Sequence, residues 1–284
     1  MSRLYRFSLV DVFTSVPLQG NQLAVFTNAV GLTAAQMQLL ARELNFSEST
    51  FVFPAQKGGD LRIRIFTPTR ELPFAGHPTL GTAFAMAGPL QSVLMRIETA
   101  GGIVPVVLER EGAKIVFGRM TQPLPMVTPF DSARAPELFA ALGVQGSQLP
   151  LEVYDNGVAH LFVALATDAE VAALAPNFVH LERLVGDTCV SCFSATRDRV
   201  KTRVFAPELG MAEDPATGSA AGPLAVHLAR HGRIAWGDEV LISQGAEVGR
   251  PSTLFARAEG SGHDATLVEV GGSAVVVGRG ELAV

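Results

Sequence analysis

The chain repeats itself once. Arg64-Ile65-Phe66-Thr67-Pro68 is followed by Pro73-Phe74-Ala75-Gly76-His77 and an apolar run of small residues. Arg203-Val204-Phe205-Ala206-Pro207 is followed by Pro215-Ala216-Thr217-Gly218-Ser219 and another such run. Upstream, Glu48-Ser49-Thr50-Phe51-Val52 is answered by Asp187-Thr188-Cys189-Val190, each starting 16 positions before its arginine, and Leu23-Ala24-Val25 by Leu161-Phe162-Val163. The offset drifts from 138 to 139 and reaches 142 at Gly76 and Gly218, half of the 284 residues, with three extra residues before Pro215. This period is far too long for a solenoid. It implies two similarly folded halves, 1–127 and 128–284, with the boundary marked by Pro123, Pro125 and Pro129 and the last strand free to return to the first half. A site at the interface between the halves is the expected outcome of such a plan.

Each half reads as strands around one apolar helix. Tyr5 to Phe13, Asn21 to Phe26, Phe51 to Phe53 and Leu61 to Phe66 carry strand patterns. Thr33-Ala34-Ala35-Gln36 is a capping box, followed by Met37, Leu40 and Leu44 at helical spacing, with Asn45 as the helix end. Pro78 suits the first turn of a helix running to about Met86. Hairpin strands follow at Leu94–Glu98, Val104–Glu109 and Lys114–Phe117, then a helix from Asp131 to Leu142 closed by Gly143. The second half repeats the plan, with Thr167-Asp168-Ala169-Glu170 as capping box and Ala220 to Arg230 as the small-residue helix. Late hairpins are expected at Thr253–Arg257 and at Ala265–Val277 about Gly271-Gly272. The fold class is α+β: two pseudo-symmetric domains, each a curled, mostly antiparallel sheet around a central helix.

Composition narrows the function. Apolar residues are 48% before the 28 glycines are added, and charged residues only 17%, against a typical ~25%. The chain therefore has ample material for a core and for burial against a partner. A net charge of −5 gives no footprint for nucleic acid. No apolar run is long enough for a membrane helix, and Asp11 interrupts the start before a signal sequence can build up. Two cysteines make no disulfide framework, and a cytoplasmic location is expected. The lysines Lys57, Lys114 and Lys201 lie in no phosphate motif.

The chemistry-bearing residues cluster at the two helix starts. Gly76-His77 and Gly218-Ser219 place unpaired amides and partial positive charge where a carboxylate or a developing enolate is stabilised. The alternative is close packing of Gly and Ala against a sheet. Glu48, flanked by Phe46 and Phe51, is a carboxylate between apolar walls, and such a group has a raised pKa suited to proton transfer. A surface turn is the competing reading. His77 is a donor or proton shuttle, or a satisfied structural histidine; Asp214 is a further acid, or a cap for the second helix. Cys189 and Cys192 have redox or zinc spacing but no second pair, and read as core. His160, His180, His227, His231 and His263 read as scattered, without ligand spacing, so no metal site is expected.

These motifs resemble the PhzF phenazine-biosynthesis proteins of the diaminopimelate-epimerase-like fold. The likeness rests on Gly20-Asn21, Asn45 to Val52, Arg64 to Gly81 and Glu213 to Leu228. It continues through Gly249-Arg250-Pro251-Ser252 and Phe255 to Gly260, so it spans nearly the whole chain. The resemblance implies a homodimer and a cofactor-free isomerase acting on a small cyclic amino acid, trans-2,3-dihydro-3-hydroxyanthranilate. It implies Glu48 as proton shuttle, His77 and Asp214 as helpers, and Gly76, Gly218 and Ser219 as the carboxylate cradle. Racemases of the same fold use two opposed cysteines; Ala75 and Pro215 stand near those places here, so a two-thiol mechanism is not expected.

Overall fold

The computed structural model describes residues 3–87, 91–209 and 211–284. The first half runs β1 (Leu4–Val12), β2 (Asn21–Phe26), α1 (Ala34–Leu44), β3 (Glu48–Phe53), β4 (Leu61–Phe66), β5 (Glu71–Leu72), α2 (Gly76–Ala87), β6 (Leu94–Thr99), β7 (Gly102–Glu111), β8 (Lys114–Thr121). The chain continues through β9 (Met126–Pro129), α3 (Ala135–Leu142), β10 (Glu152–Asp155), β11 (Ala159–Ala164), α4 (Asp168–Ala172), α5 (Phe178–Val185), β12 (Cys189–Ala195), β13 (Arg199–Ala206), β14 (Met211–Asp214), α6 (Gly218–Arg230), β15 (Glu239–Gln244), β16 (Ser252–Ser261), β17 (Asp264–Gly272) and β18 (Ala274–Ala283). The α+β class is what forms: among the described residues, 18 strands lie in one hydrogen-bonded sheet with few helices.

Local chemistry sets the element ends. Thr33 accepts from the Gln36 amide while the Gln36 side chain accepts from the Thr33 amide, and Asn45 closes α1 at φ 52°. The second capping box is half-formed. Thr167 accepts from the Glu170 amide, but the Glu170 carboxylate reaches past it to the Ala166 amide, and α4 stops after five residues. The helix expected from Asp131 to Leu142 begins instead as a 3-10 turn, Ser132–Arg134. Pro136 has no N–H to give to Ser132, so α3 has to start afresh at Ala135.

The sheet register aligns the halves residue by residue. Phe66 lies opposite Ser49 and Glu71, and Phe205 lies opposite Val190 and Glu213. The three extra residues of the second half fall between Phe205 and Glu213, in the stretch that carries the 3-10 turn Pro207–Leu209. On this register Glu48 corresponds to Cys189, two residues beyond the Asp187 that sequence matching had paired with it. Leu72 corresponds to Asp214 in the same way.

The halves join through strands. β8 pairs antiparallel with β17, and Met120 lies opposite Val270. These two are equivalent in the hairpins Val106–Met120 and Ala256–Val270, so the approximate twofold axis passes between them. Gly271 and Gly272, expected at a hairpin turn, instead lie inside β17 on this seam. A Cβ there would come within 2.7 Å of the Phe117 ring and 2.5 Å of Phe13. Close approach, not turning, is what those glycines permit. Two strands also cross over: β9 pairs with β10, and β18 pairs with β1. The proline-marked stretch Met126–Pro129 is therefore an ordered strand that straddles position 127.

α2 and α6 form the interior. Every residue of α6 from Gly218 to Ala229 is buried, as is α2 from Gly76 to Phe84. Helices apolar on all sides have to be enclosed, and one continuous core cluster packs both of them with strands of both halves. The helix starts touch: a Cβ on Gly76 would fall 2.5 Å from the Gly218 carbonyl carbon. Glycine is required at that contact whatever else the site does.

Candidate active site

Glu48 opens β3 next to Leu23 of β2, and Asp214 closes β14. Both face the seam and both are buried, at 7% and 6% exposure. Asp214 is heavily held. Its Oδ1 accepts from Asn21 Nδ2 (2.8 Å) and Ser47 Oγ (3.0 Å), and its Oδ2 accepts from Thr217 Oγ1 (2.6 Å). Gln244 locks the arrangement from behind, donating to the Asp214 carbonyl (2.7 Å) and to Thr217 Oγ1 (2.9 Å) while accepting from the Thr217 amide. Glu48 differs: its Oε2 has no hydrogen-bond partner and faces the equally unpartnered Nε2 of His77 at 3.4 Å.

Burial dominates the electrostatics. The Glu48 carboxyl is held well above the ordinary carboxylate range, first by desolvation and then by the nearby charge of Asp214. Asp214 is raised by burial too, with the hydrogen bonds from Thr217, Asn21 and Ser47 pulling the other way. Burial pushes His77 down to about 3, so its imidazole is neutral. Asn21 Nδ2 already gives hydrogens to Asp214 and to the Ala216 carbonyl (2.9 Å), so its 3.2 Å approach to His77 Nδ1 is not a third donation. Burial thus favours the uncharged form of each member of the facing pair, raising Glu48 and lowering His77.

Of the residues singled out from sequence, Glu48, Asp214 and Ser219 line one cavity, joined there by Leu72, His160 and Cys189. His77 stands beside Glu48, while Gly76 and Gly218 form the helix contact. Cys189, the counterpart of Glu48, is a neutral thiol: burial pushes it up to about 12. The core reading of both cysteines holds for burial. The cavity is small, about 20 Å³, room for about one water.

Several site residues were not evident beforehand. His160 is fully buried and its Nε2 lies 3.1 Å from Ser219 Oγ. Asn156 Nδ2 donates to the Ser219 carbonyl (3.0 Å). That carbonyl lacks its usual helical donor because residue 223 is proline, so the side chain supplies what the backbone cannot. Gln122 holds the Gly218 carbonyl in the same manner (2.8 Å). The histidines are also less scattered than the sequence suggested. His227 near the end of α6 and His231, its C-cap residue, meet Glu152 of β10 with ligand atoms within 4.8 Å of one another. That carboxylate already accepts from Tyr154 (2.7 Å) and Arg230 (3.3 Å), and it lies 2.9 Å from His231 Nε2. His227 Nε2 is without a partner, whereas a ligating histidine ordinarily anchors its second nitrogen.

Fold and site define a class: a diaminopimelate-epimerase-like protein with two buried carboxylates at the seam of two pseudo-symmetric halves. The family described as Phenazine biosynthesis-like protein (PhzC-PhzF) matches residues 10–280, and the chain belongs to that family. It is 47% identical to a trans-2,3-dihydro-3-hydroxyanthranilate isomerase of Pseudomonas fluorescens, covering 98% of this chain and 99% of the relative. It is 48% identical to the enzyme of the same description from Pseudomonas aeruginosa, again over 98% and 99%. A solved phenazine biosynthesis protein of the PhzF family from Bacillus anthracis superposes with a TM-score of 0.84 at 24% identity, over 99% of this chain and 100% of that one.

Proposed function

We propose that the protein isomerises trans-2,3-dihydro-3-hydroxyanthranilate to an amino-oxocyclohexene carboxylate, with Glu48 as the group that moves the proton. The observation that carries the reading is the buried, unpartnered Glu48 Oε2 facing His77 Nε2 at 3.4 Å in a chain nearly half identical, end to end, to curated isomerases of that substrate. An isomerisation neither adds nor removes atoms. A proton leaves one ring carbon, the double bonds shift, and a proton returns at a conjugated carbon. One carboxylate whose pKa is raised by burial suits both steps, taking the proton in its base form and returning it in its acid form. Asp214, held by Asn21, Ser47 and Thr217, stays fixed and orients the amine or hydroxyl. Ser219, Gly76 and Gly218 at the helix starts take the carboxylate.

Ring-sized ligands ordinarily occupy ~300 Å³ or more, far above the cavity seen here, so the two halves, 1–127 and 128–284, part to admit substrate and close over it. The protein acts as a cytoplasmic homodimer. Leu94 and Val107, opposite one another in β6 and β7, are exposed together with Val93, an apolar patch that a second copy would cover. The test is incubation with trans-2,3-dihydro-3-hydroxyanthranilate in heavy water, following the ultraviolet spectrum and deuterium in the product. Rapid conversion with ring deuteration supports the reading. Inertness toward this compound, with turnover of another small amino or hydroxy acid, replaces it.

A further inference from the structure

We propose that His160 is the counter-ion of the substrate carboxylate, taking up a proton as a carboxylate-bearing ligand enters the cavity. The inference rests on the anthranilate-class substrate proposed above. Its structural basis is a charge balance. The cavity wall already holds two carboxyl groups, Glu48 and Asp214, and no Arg or Lys among the described residues lines it. A third carboxylate in that volume has no positive side chain to meet except an imidazole, and His160 is the basic group on the wall. Like charges crowded in a low-dielectric site are strongly disfavoured unless one is neutralised.

The geometry fits that role. His160 is fully buried on β11; its Nε2 is occupied by Ser219 Oγ at 3.1 Å, and its Nδ1 has no partner. Ser219 lies in the first turn of α6, whose amides already favour an anion. The groups around the ring are Tyr154 beside it on β10, Cys189 beside it on β12, Ser219 of α6, and Glu48 and Asp214 across the cavity. Tyr154 spends its hydroxyl on Glu152, and Cys189 is a neutral thiol at neutral pH. Neither competes for the carboxylate. Without ligand, burial holds the imidazole neutral, at about 3. An adjacent carboxylate reverses that balance and charges the ring, giving a buried, hydrogen-bonded ion pair. The N-terminal half then carries the mobile proton at Glu48, and the C-terminal half carries the fixed charge at His160.

The test is calorimetric titration with 3-hydroxyanthranilate, the aromatic and unreactive analogue, in buffers of different ionisation enthalpy. Wild type and Glu48→Gln should each take up about one proton on binding, with affinity falling about tenfold per pH unit across the range in which that uptake is measured. His160→Gln and His160→Asn should take up none and bind with a flat pH profile, with circular dichroism verifying the fold. Uptake that persists in a folded His160 variant, or that vanishes in Glu48→Gln alone, assigns the proton to a carboxyl group and overturns the proposal. Wild type that binds without uptake overturns it equally. Wild type that neither binds the analogue nor consumes trans-2,3-dihydro-3-hydroxyanthranilate removes the substrate reading itself, and the proposal with it.

Discussion

Two arginine–glutamate pairs occupy equivalent places in the two halves. Arg64 holds Glu71 through Nε at 2.7 Å and Nη2 at 2.6 Å; Arg203 holds Glu213 through the same atoms at 2.9 and 2.6 Å. Each guanidinium also lies 5.2 Å from the ring centroid of the phenylalanine two residues on, Phe66 or Phe205. The scaffold of the two halves is thus shared down to side-chain geometry, while the setting differs. The first pair is 27% and 37% exposed, the second 9% and 8%. In the second half Arg203 also donates to the carbonyls of Ala172 and Leu174, tying α4 to the sheet. At the seam the halves part company in chemistry. The register that aligns Arg64 with Arg203 places Glu48 against Cys189 and Leu72 against Asp214, and all four line the same cavity. Duplication built a symmetric frame, and substitution at two pairs of positions left one free acid on one side and one tethered acid on the other.

The strongest way to break that comparison is to exchange the seam residues. Glu48→Cys combined with Cys189→Glu keeps the two carboxyl groups and one thiol of the cavity wall but moves one acid away from His77. Steady-state turnover should fall by ~10³–10⁴, the full worth of a positioned acid–base group. Substantial activity would mean that the side carrying the acid is immaterial. Next comes the pair of bridges. Removing Glu213 strands a buried guanidinium, so Glu213→Ala should cost about 3 kcal/mol in denaturant unfolding. Glu71→Ala, at the equivalent exposed site, should cost under about 1 kcal/mol. Equal losses would show that burial does not distinguish the halves.

Smaller effects sharpen the account through pH. Glu48 has a folded pKa above its unfolded one, so the folded chain keeps a proton that the unfolded chain releases. The stability tied to that proton is present at low pH and declines as pH rises through the raised folded value. Glu48→Gln should therefore melt higher than wild type at about pH 8, with the gap closing toward about pH 5. A gap independent of pH would place the effect elsewhere. The smallest change is expected at the counterpart: Cys189→Ala should alter turnover by less than about tenfold, and the native thiol, pushed up to about 12, should resist alkylation until the protein unfolds.

Much of this was legible in the chain. The duplication, the central helices and the motifs around Glu48, His77 and Asp214 stand out because Gly, Pro and aromatic residues recur at nearly constant spacing. The register error at Asp187 arose because constant spacing and like charge both favoured it, and strand pairing, which decides, leaves no mark in sequence. His160 reads in sequence as one of several scattered histidines, because its partner Ser219 is 59 residues away and only the fold brings them together. Gln244, which braces Asp214 from 30 residues downstream, is hidden for the same reason. The i, i+4 spacing of His227 and His231 could have been noticed, but not their meeting with Glu152 on a distant strand.

In the proposed reaction one carboxylate, Glu48, moves the proton within a cleft whose other acid, Asp214, is held in place. Single-turnover conversion of trans-2,3-dihydro-3-hydroxyanthranilate by wild type and by folded Glu48→Gln tests it most directly. A drop in rate of ~10³ or more, with the fold retained, is expected. Near-normal conversion by Glu48→Gln would contradict it.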